Sequence, residues 1–246
     1  MSFLEHLDEL RKRIVNALIA VAVGVLVGFF LIDRISDFLL GPTRRILPPG
    51  SKMIYTQPGE AFSFDVQVAL IAGVVLAAPV IMYQVWMFIA PGLYANEKKL
   101  AVPFVALSTT GFIGGALFNH YIVFRWMMSF FGSFDSFNLS FMPRLDDVFG
   151  LYTKMLFGMG LVFQMPAVVF FLAKMGLVSA RFLWKSLKYA ILIIFIAAAV
   201  ITPGGDVATQ ALFALPMVGL YILSILIAWI VGPVARRGEP TDDTLE

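Results

Sequence analysis

The chain has 246 residues, of which 60% are hydrophobic and only 14% charged, and its mean hydropathy is +0.88. A soluble domain carries about 25% charged residues, so long apolar runs on this background indicate a polytopic helical membrane protein. The absence of cysteine excludes disulfides, thiol catalysis and thiolate metal sites; the histidines His6 and His120 are too few and too far apart to hold a metal, and a net charge of +2 says little about partners.

The chain opens on Glu5-His6-Leu7-Asp8-Glu9-Leu10-Arg11-Lys12-Arg13, an amphipathic segment over residues 1–13. As a helix it sets Glu5 and Glu9 on one face and Leu7 and Leu10 on a neighbouring stripe. Arg11-Lys12-Arg13 abuts the first apolar run and holds the N-terminus in the cytoplasm. A carboxylate one turn earlier gains nothing from orienting a membrane helix, so Glu9 asks for another explanation. The acids ahead of this run, and its stop-transfer length, argue against a cleavable signal or transit peptide and favour direct insertion into a bacterial or archaeal plasma membrane.

The first span covers 14–32, long enough for a ~30 Å core at 1.5 Å per residue; Gly24 and Gly28 on it form a small-xxx-small pair that suits a helix contact or dimerisation. Residues 33–61 read as a loop punctuated by Pro42, Pro48-Pro49-Gly50 and Pro58-Gly59, with room for a short helix over 33–40. Arg34, Arg44, Arg45 and Lys52 are an unwelcome number of positives for an outside loop, but the other loops outvote this one.

The second span, 62–89, contains Pro79, which removes one hydrogen bond and predicts a kink. Tyr83, Trp86 and Phe88 read as an aromatic belt at the inner interface, and Ala95-Asn96-Glu97-Lys98-Lys99 as a cytoplasmic turn. The third span, 100–124, has Gly111, Gly114 and Gly115 for close helix approach. The aromatic-rich stretch to Asp147 predicts a partly helical cap on the outer interface. The fourth, 148–173, carries Lys154 near its outer end, where it can snorkel, and buries Gln164-Met165-Pro166. The fifth, 189–201, has roughly 13 residues and reaches only ~20 Å. It ends at Thr202-Pro203-Gly204-Gly205-Asp206, a tight turn with Asp206 as N-cap of the sixth span, 207–231, which is broken by Pro216. Residues 232–246 turn polar and acidic and read as a disordered tail.

Eleven of the eighteen Lys and Arg (Arg11, Lys12, Arg13, Lys98, Lys99, Lys174, Arg181, Lys185, Lys188, Arg236 and Arg237) fall in the termini and two loops that six spans place on one side. That side is the cytoplasm. The expected architecture is all-α: one six-helix transmembrane domain over residues 1–231 with both termini inside.

Enzyme signatures are missing: there is no H-E-x-x-H, no G-x-S-x-G and no serine–lysine arrangement. No enzyme activity, cofactor, metal or nucleic-acid partner is therefore expected. A secondary transporter of a small solute is the alternative, but segment lengths and the prolines at 79, 166 and 216 do not repeat. Gln164 is the clearest polar group at mid-membrane depth, suited either to a hydrogen bond with carbonyls loosened by Pro166 or to docking a partner. Glu9 and Glu97 form a pair of surface acids, each followed by bases. They either balance those bases or receive a cationic ligand where a low dielectric strengthens charge-assisted pairs.

At these residues the chain resembles a known family. Glu5 to Arg13 is similar to the N-terminal motif of the TatC family, the multispanning core subunit of the twin-arginine protein translocase. Ala78-Pro79-Val80-Ile81-Met82-Tyr83-Gln84-Val85-Trp86-Met87-Phe88-Ile89-Ala90-Pro91-Gly92-Leu93-Tyr94, leading to Glu97, resembles its most diagnostic block. Phe163-Gln164-Met165-Pro166, Thr202-Pro203-Gly204-Gly205-Asp206 with Gln210, and Ala214-Leu215-Pro216 match as well. The resemblance implies six helices in a cupped arrangement with the last two short. It implies binding of twin-arginine signal peptides of folded cargo, with Glu9 and Glu97 receiving the arginines and Phe88 packing beside them. It also implies export driven by the proton gradient, and an oligomeric complex in which TatB-type and TatA-type single-span subunits dock on the fifth and sixth spans and near Gln164. Asp206 and Gln210 are further candidates for docking or structural polar roles. The family carries glutamate where Gln164 and Ile222 stand here, so no role that needs a titratable group transfers to those two positions.

Overall fold

Long apolar runs become long helices because every backbone polar group must be satisfied within the segment once water is excluded. The computed structural model describes residues 3–47, 52–89, 101–134, 141–202 and 206–232. Among them the regular structure is helical, apart from an isolated bridge between Ile54 and Arg144. The order is α1 (Phe3–Phe30), α2 (Ile32–Arg44), α3 (Glu60–Ile89), α4 (Ala101–Phe118), a π-helical turn (Asn119–Val123), α5 (Phe124–Gly132), α6 (Leu145–Val162), α7 (Met165–Lys174), α8 (Ala180–Lys185), α9 (Leu187–Ile201) and α10 (Val207–Val231). Five stretches are long and apolar enough to cross a membrane: 5–30, 60–89, 102–132, 145–174 and 207–231. The sixth apolar helix, α9, has 15 residues and reaches about 22 Å. The protein is a multi-pass membrane protein.

Several elements differ from their sequence reading. The charged N-terminal segment is the first turns of α1, continuous with the span. α2 is a full helix of 13 residues running through Pro42, where a loop with a short helix is predicted. Leu39 and Leu40 bury against the core, and Pro42 lies in the last turn, where one lost donor interrupts little. The third span does not stop at 124: the π turn carries it on into α5. The fourth span is not continuous either. Its helix ends at Val162, and Pro166 sits in the first turn of α7, the position where a missing N–H costs nothing. Pro79 and Pro216, by contrast, lie inside uninterrupted helices, so the sixth span is not broken. Nor are the last two spans both short, because α10 has 25 residues. Residues 233–246 of the predicted tail lie outside the described residues.

Small residues set the helix approach. A Cβ on Gly24 would lie 2.6 Å from the Gly73 carbonyl oxygen, and one on Gly28 would lie 3.0 Å from that of Ala69. The small-xxx-small pair of α1 therefore packs on α3 of the same chain, which takes the place of the dimer contact considered from sequence. Gly111 and Gly115 of α4 make the same backbone approach to Phe163 and Met159, whereas Gly114 meets nothing nearer than the Phe163 ring at 3.9 Å. The core between these helices is built on Val68, Phe124, Met127, Phe149, Met155, Met159 and Phe213.

The bundle end opposite the N-terminus is closed by a clamp around Glu60, which is buried at the start of α3. Its carboxylate accepts from the backbone amides of Thr56 (2.9 Å), Gln57 (3.3 Å) and Asp146 (3.1 Å), and faces Arg144 at 3.7 Å. The Ile54 amide donates to the Pro143 carbonyl and the Leu145 amide to that of Ile54. One acid thus joins the approach to α3 with the N-terminus of α6, whose orphan amides favour a carboxylate.

Candidate functional site

Glu9 and Arg13 stand one turn apart on α1, so their side chains meet on one face. Arg13 Nη2 donates to Glu9 Oε1 at 3.1 Å, and Arg13 Nη1 donates to Gln84 Oε1 on α3 at 3.4 Å. Gln84 is buried, and the side chains of Arg13 and Glu9 are only 19% and 17% exposed. One turn before Glu9, the His6 ring stacks on Phe88 with centroids 4.5 Å apart. The antiparallel packing of α1 on α3, fixed by Gly24 and Gly73, aligns both contacts at the N-terminal end of the bundle.

This arrangement leaves a carboxylate in a partly dehydrated setting, already in hydrogen-bonding geometry with a guanidinium. Such a charge-assisted pair exceeds the ~0–1 kcal/mol of fully exposed ones. Among the described residues only Oε1 of Glu9 is engaged. A further guanidinium can therefore approach through Oε2 or exchange with Arg13. Phe88 is half-buried on α3, where it stacks on His6. Glu97, the second acid, lies outside the described residues, so the structure does not bring the two acids together or hold them apart.

The other sequence candidates lie elsewhere, each with a partner inside the chain. Gln164, half-buried at the break between α6 and α7, donates through Nε2 to the Ser108 carbonyl on α4 at 3.0 Å. Its bond thus crosses to a neighbouring helix, and the carbonyls near Pro166 are not its acceptors. Asp206 caps α10 as the sequence predicts: its Oδ1 accepts from the Thr209 amide at 2.8 Å and Oδ2 from the Thr209 hydroxyl at 2.7 Å. Those two donors hold its carboxyl below the usual carboxylate range. Gln210 donates through Nε2 to the Phe195 carbonyl at 2.6 Å, joining α10 to α9. Ile222 is exposed on α10, in a groove with Arg181 and Trp184 of α8 and with Trp229.

The predicted aromatic belt divides. Tyr83 is exposed, but Trp86 is buried and packs on Phe104 and Phe171 with centroids 5.0 and 5.6 Å apart, so it belongs to the core. A cleft of about 670 Å³ is remote from Glu9, at the opposite end of the bundle; Arg144, Asp147 and Lys154 are among its lining residues. Among the described residues no group of three or more His, Asp or Glu is placed to hold a metal ion.

Sequence reasoning gave Arg13 only an orienting role, and gave Gln84 and His6 none at this site. The i,i+4 spacing from Glu9 to Arg13 was a usable signal. The involvement of Gln84 and His6 depends on which face of α3 meets α1, which no local pattern states.

Comparison with known proteins agrees with this architecture. The family model described as Sec-independent protein translocase protein (TatC) matches residues 5–216. The chain is 42% identical over 240 residues to the Sec-independent protein translocase protein TatC of Koribacter versatilis, covering 96% of this chain and 88% of that protein. It is 45% identical over 230 residues to that of Desulforapulum autotrophicum, covering 94% and 85%. Two crystal structures of the twin-arginine translocase receptor TatC, one of them in the detergent DDM, superpose with TM-scores of 0.80 and 0.81. They share 33% and 32% identity with the chain, and cover 91% of it and 97% and 99% of their own chains.

Proposed function

The chain belongs to the TatC family, and from that premise we propose that it is the receptor and core subunit of a translocase for folded proteins carrying twin-arginine signal peptides. Membership makes it a Sec-independent protein translocase protein and sets aside the small-solute transporter. In our reading it works by recognition, without covalent chemistry. Glu9 and Glu97 receive the two arginines of the signal peptide at the cytoplasmic face, and Phe88 packs beside them. The protein sits in a bacterial or archaeal plasma membrane with both termini on the cytoplasmic side, as the distribution of Lys and Arg favours. Export draws on the proton gradient, and TatB-type and TatA-type single-span subunits complete the complex.

The observation that carries the reading is the setting of Glu9: a carboxylate largely shielded from water and bonded through one oxygen to Arg13, which Gln84 in turn ties to α3. It already accepts one hydrogen bond from a guanidinium. Arginine suits it better than lysine because a planar guanidinium forks onto a carboxylate through two hydrogen bonds, and a point charge does not. Each such bond contributes about 1.5–3 kcal/mol in a partly dehydrated site. The hydrogen bonds of Gln164, Asp206 and Gln210 within the chain support structural roles for all three over partner docking.

The test is photocrosslinking of a twin-arginine peptide to the assembled translocase in membranes. Glu9→Ala combined with Glu97→Ala should abolish the crosslink at normal expression, and a twin-lysine peptide should label the unaltered protein weakly. Undiminished labelling of the double variant overturns the assignment.

A further inference from the structure

The outer-loop arginines are unexplained by export. Arg34, Arg44 and Arg45 sit where the charge bias of a membrane protein disfavours positives, and Arg125 joins them from the far side of the third span. The structure shows where two of them go. After α1 ends, α2 lies across the bundle end opposite the N-terminus, with Leu39 and Leu40 buried beneath it. It faces the π turn, an insertion of a type that recurs at functional sites.

Between these elements is a small cleft of about 180 Å³, whose lining includes Arg45, Arg125, His120, Tyr121, Phe38 and Asp37. Its acid, Asp37, is already engaged through one oxygen, because Arg44 Nη1 donates to Oδ1 at 2.7 Å. Neither Arg45 nor Arg125 makes an ion pair among the described residues, so the cleft presents two guanidiniums against one carboxylate that Arg44 already engages. The π turn aims the rest of the wall. The His120 ring stacks on Phe38 with centroids 3.9 Å apart, and Nδ1 lies 3.2 Å from the Tyr152 hydroxyl. His120 is only 4% exposed. Tyr121 stands edge-on to it at 4.8 Å.

We propose that this cleft binds the phosphate of an anionic phospholipid in the leaflet at this end of the bundle, gripped by Arg45 and Arg125 against His120 and Tyr121. Two guanidiniums are suited to a phosphodiester, whose two non-bridging oxygens share one negative charge and can accept from both. The volume is below the roughly 300–1,000 Å³ of sites for drug-sized ligands, so it admits a headgroup and no peptide. The level is also right for lipid. Trp126, next in sequence to Arg125, is exposed, as is Tyr121, and such aromatics mark the headgroup region. Acyl chains would continue along lipid-facing residues such as Phe30, which is 89% exposed. The site stands without the signal-peptide reading; only its naming as an outer-leaflet site rests on the proposed orientation.

The test uses the full chain purified in detergent, with native mass spectrometry counting lipids retained after addition of phosphatidylglycerol or phosphatidylcholine. The unaltered protein should retain phosphatidylglycerol at least about tenfold better, a ratio that two charge-assisted contacts readily supply. Arg45→Gln with Arg125→Gln should remove the preference, while Arg34→Gln, on α2 but outside the cleft, should keep it. An undiminished preference for phosphatidylglycerol in the double variant overturns the proposal, as does an equal loss with Arg34→Gln. Displacement of the lipid by inorganic phosphate alone makes this a free-anion site and overturns the lipid assignment. Should the double variant fail to fold, the melting temperature of the unaltered protein decides: it should rise with phosphatidylglycerol and not with phosphatidylcholine, and an equal rise refutes the site.

Discussion

Replacing Gly24 by valine tests the α1–α3 seam on which the Glu9 site depends. A Cβ at this position meets the Gly73 carbonyl oxygen at 2.6 Å and its Cα at 2.9 Å. Both are backbone atoms, which cannot rotate aside. Restoring ordinary contact near 3.4 Å requires the helices to part by about 0.8 Å. Overpacking of this kind costs about 1–3 kcal/mol, against under ~0.5 kcal/mol that valine recovers over glycine in helix propensity. A net loss of about 0.5–2.5 kcal/mol is expected. The parting should also break the 3.4 Å bond from Arg13 to Gln84 and lower crosslinking to the signal peptide. Gly219→Ala is the matched control: nothing lies within 4 Å of its added Cβ, so it should gain up to ~1 kcal/mol from propensity alone. Denaturation of the purified protein in mixed detergent micelles measures both changes. A Gly24→Val protein as stable as the unaltered one would refute the seam.

Three further outcomes follow from single contacts. Gln164→Leu removes the bond to the Ser108 carbonyl and should cost about 0.6 kcal/mol, at most ~1.7, in the same denaturation assay; no change would show that the bond stabilises nothing. Glu60→Gln should speed hydrogen exchange at the amides of Thr56, Gln57 and Asp146, which the carboxylate holds, and leave α9 and α10 unaffected; uniform acceleration would mean global destabilisation instead of an opened clamp. Asp206 has its native carboxyl pKa depressed by the Thr209 amide and hydroxyl. Its stabilising effect is therefore complete above the ordinary carboxylate range and is lost as pH falls through the native value. Asp206→Ala should lower stability at neutral pH and flatten that acid-side decline, and an unchanged pH profile would exclude the cap as its source.

The helices were legible in the sequence wherever apolar length alone decides. Spans two and six match α3 and α10 closely because a membrane offers those runs no other solution. Several of the differences turn on proline, while the third span runs on through a π turn that no local pattern announces. Pro42, Pro79 and Pro216 lie inside helices and Pro166 at a helix start, and the penalty at each depends on whether a carbonyl there needs its donor. The candidate site was legible only in part. The spacing of Glu9 and Arg13 is local, but Gln84 and His6 join it through a long-range contact.

The sequence by itself determined a multi-pass helical protein, the approximate limits of its spans and the family it belongs to. Each of these rests on runs, spacings and motifs that need no partner across the fold. Tertiary structure decided which face of each helix meets which neighbour. It turned Gly24 and Gly28 toward α3, moved Trp86 into the core, and brought Arg45 and Arg125 to one cleft from 80 residues apart. In a bilayer apolar burial does not discriminate among helix faces, because lipid is as apolar as the protein. Close backbone approach and a few polar contacts make that choice, and both become readable only once the helices are side by side.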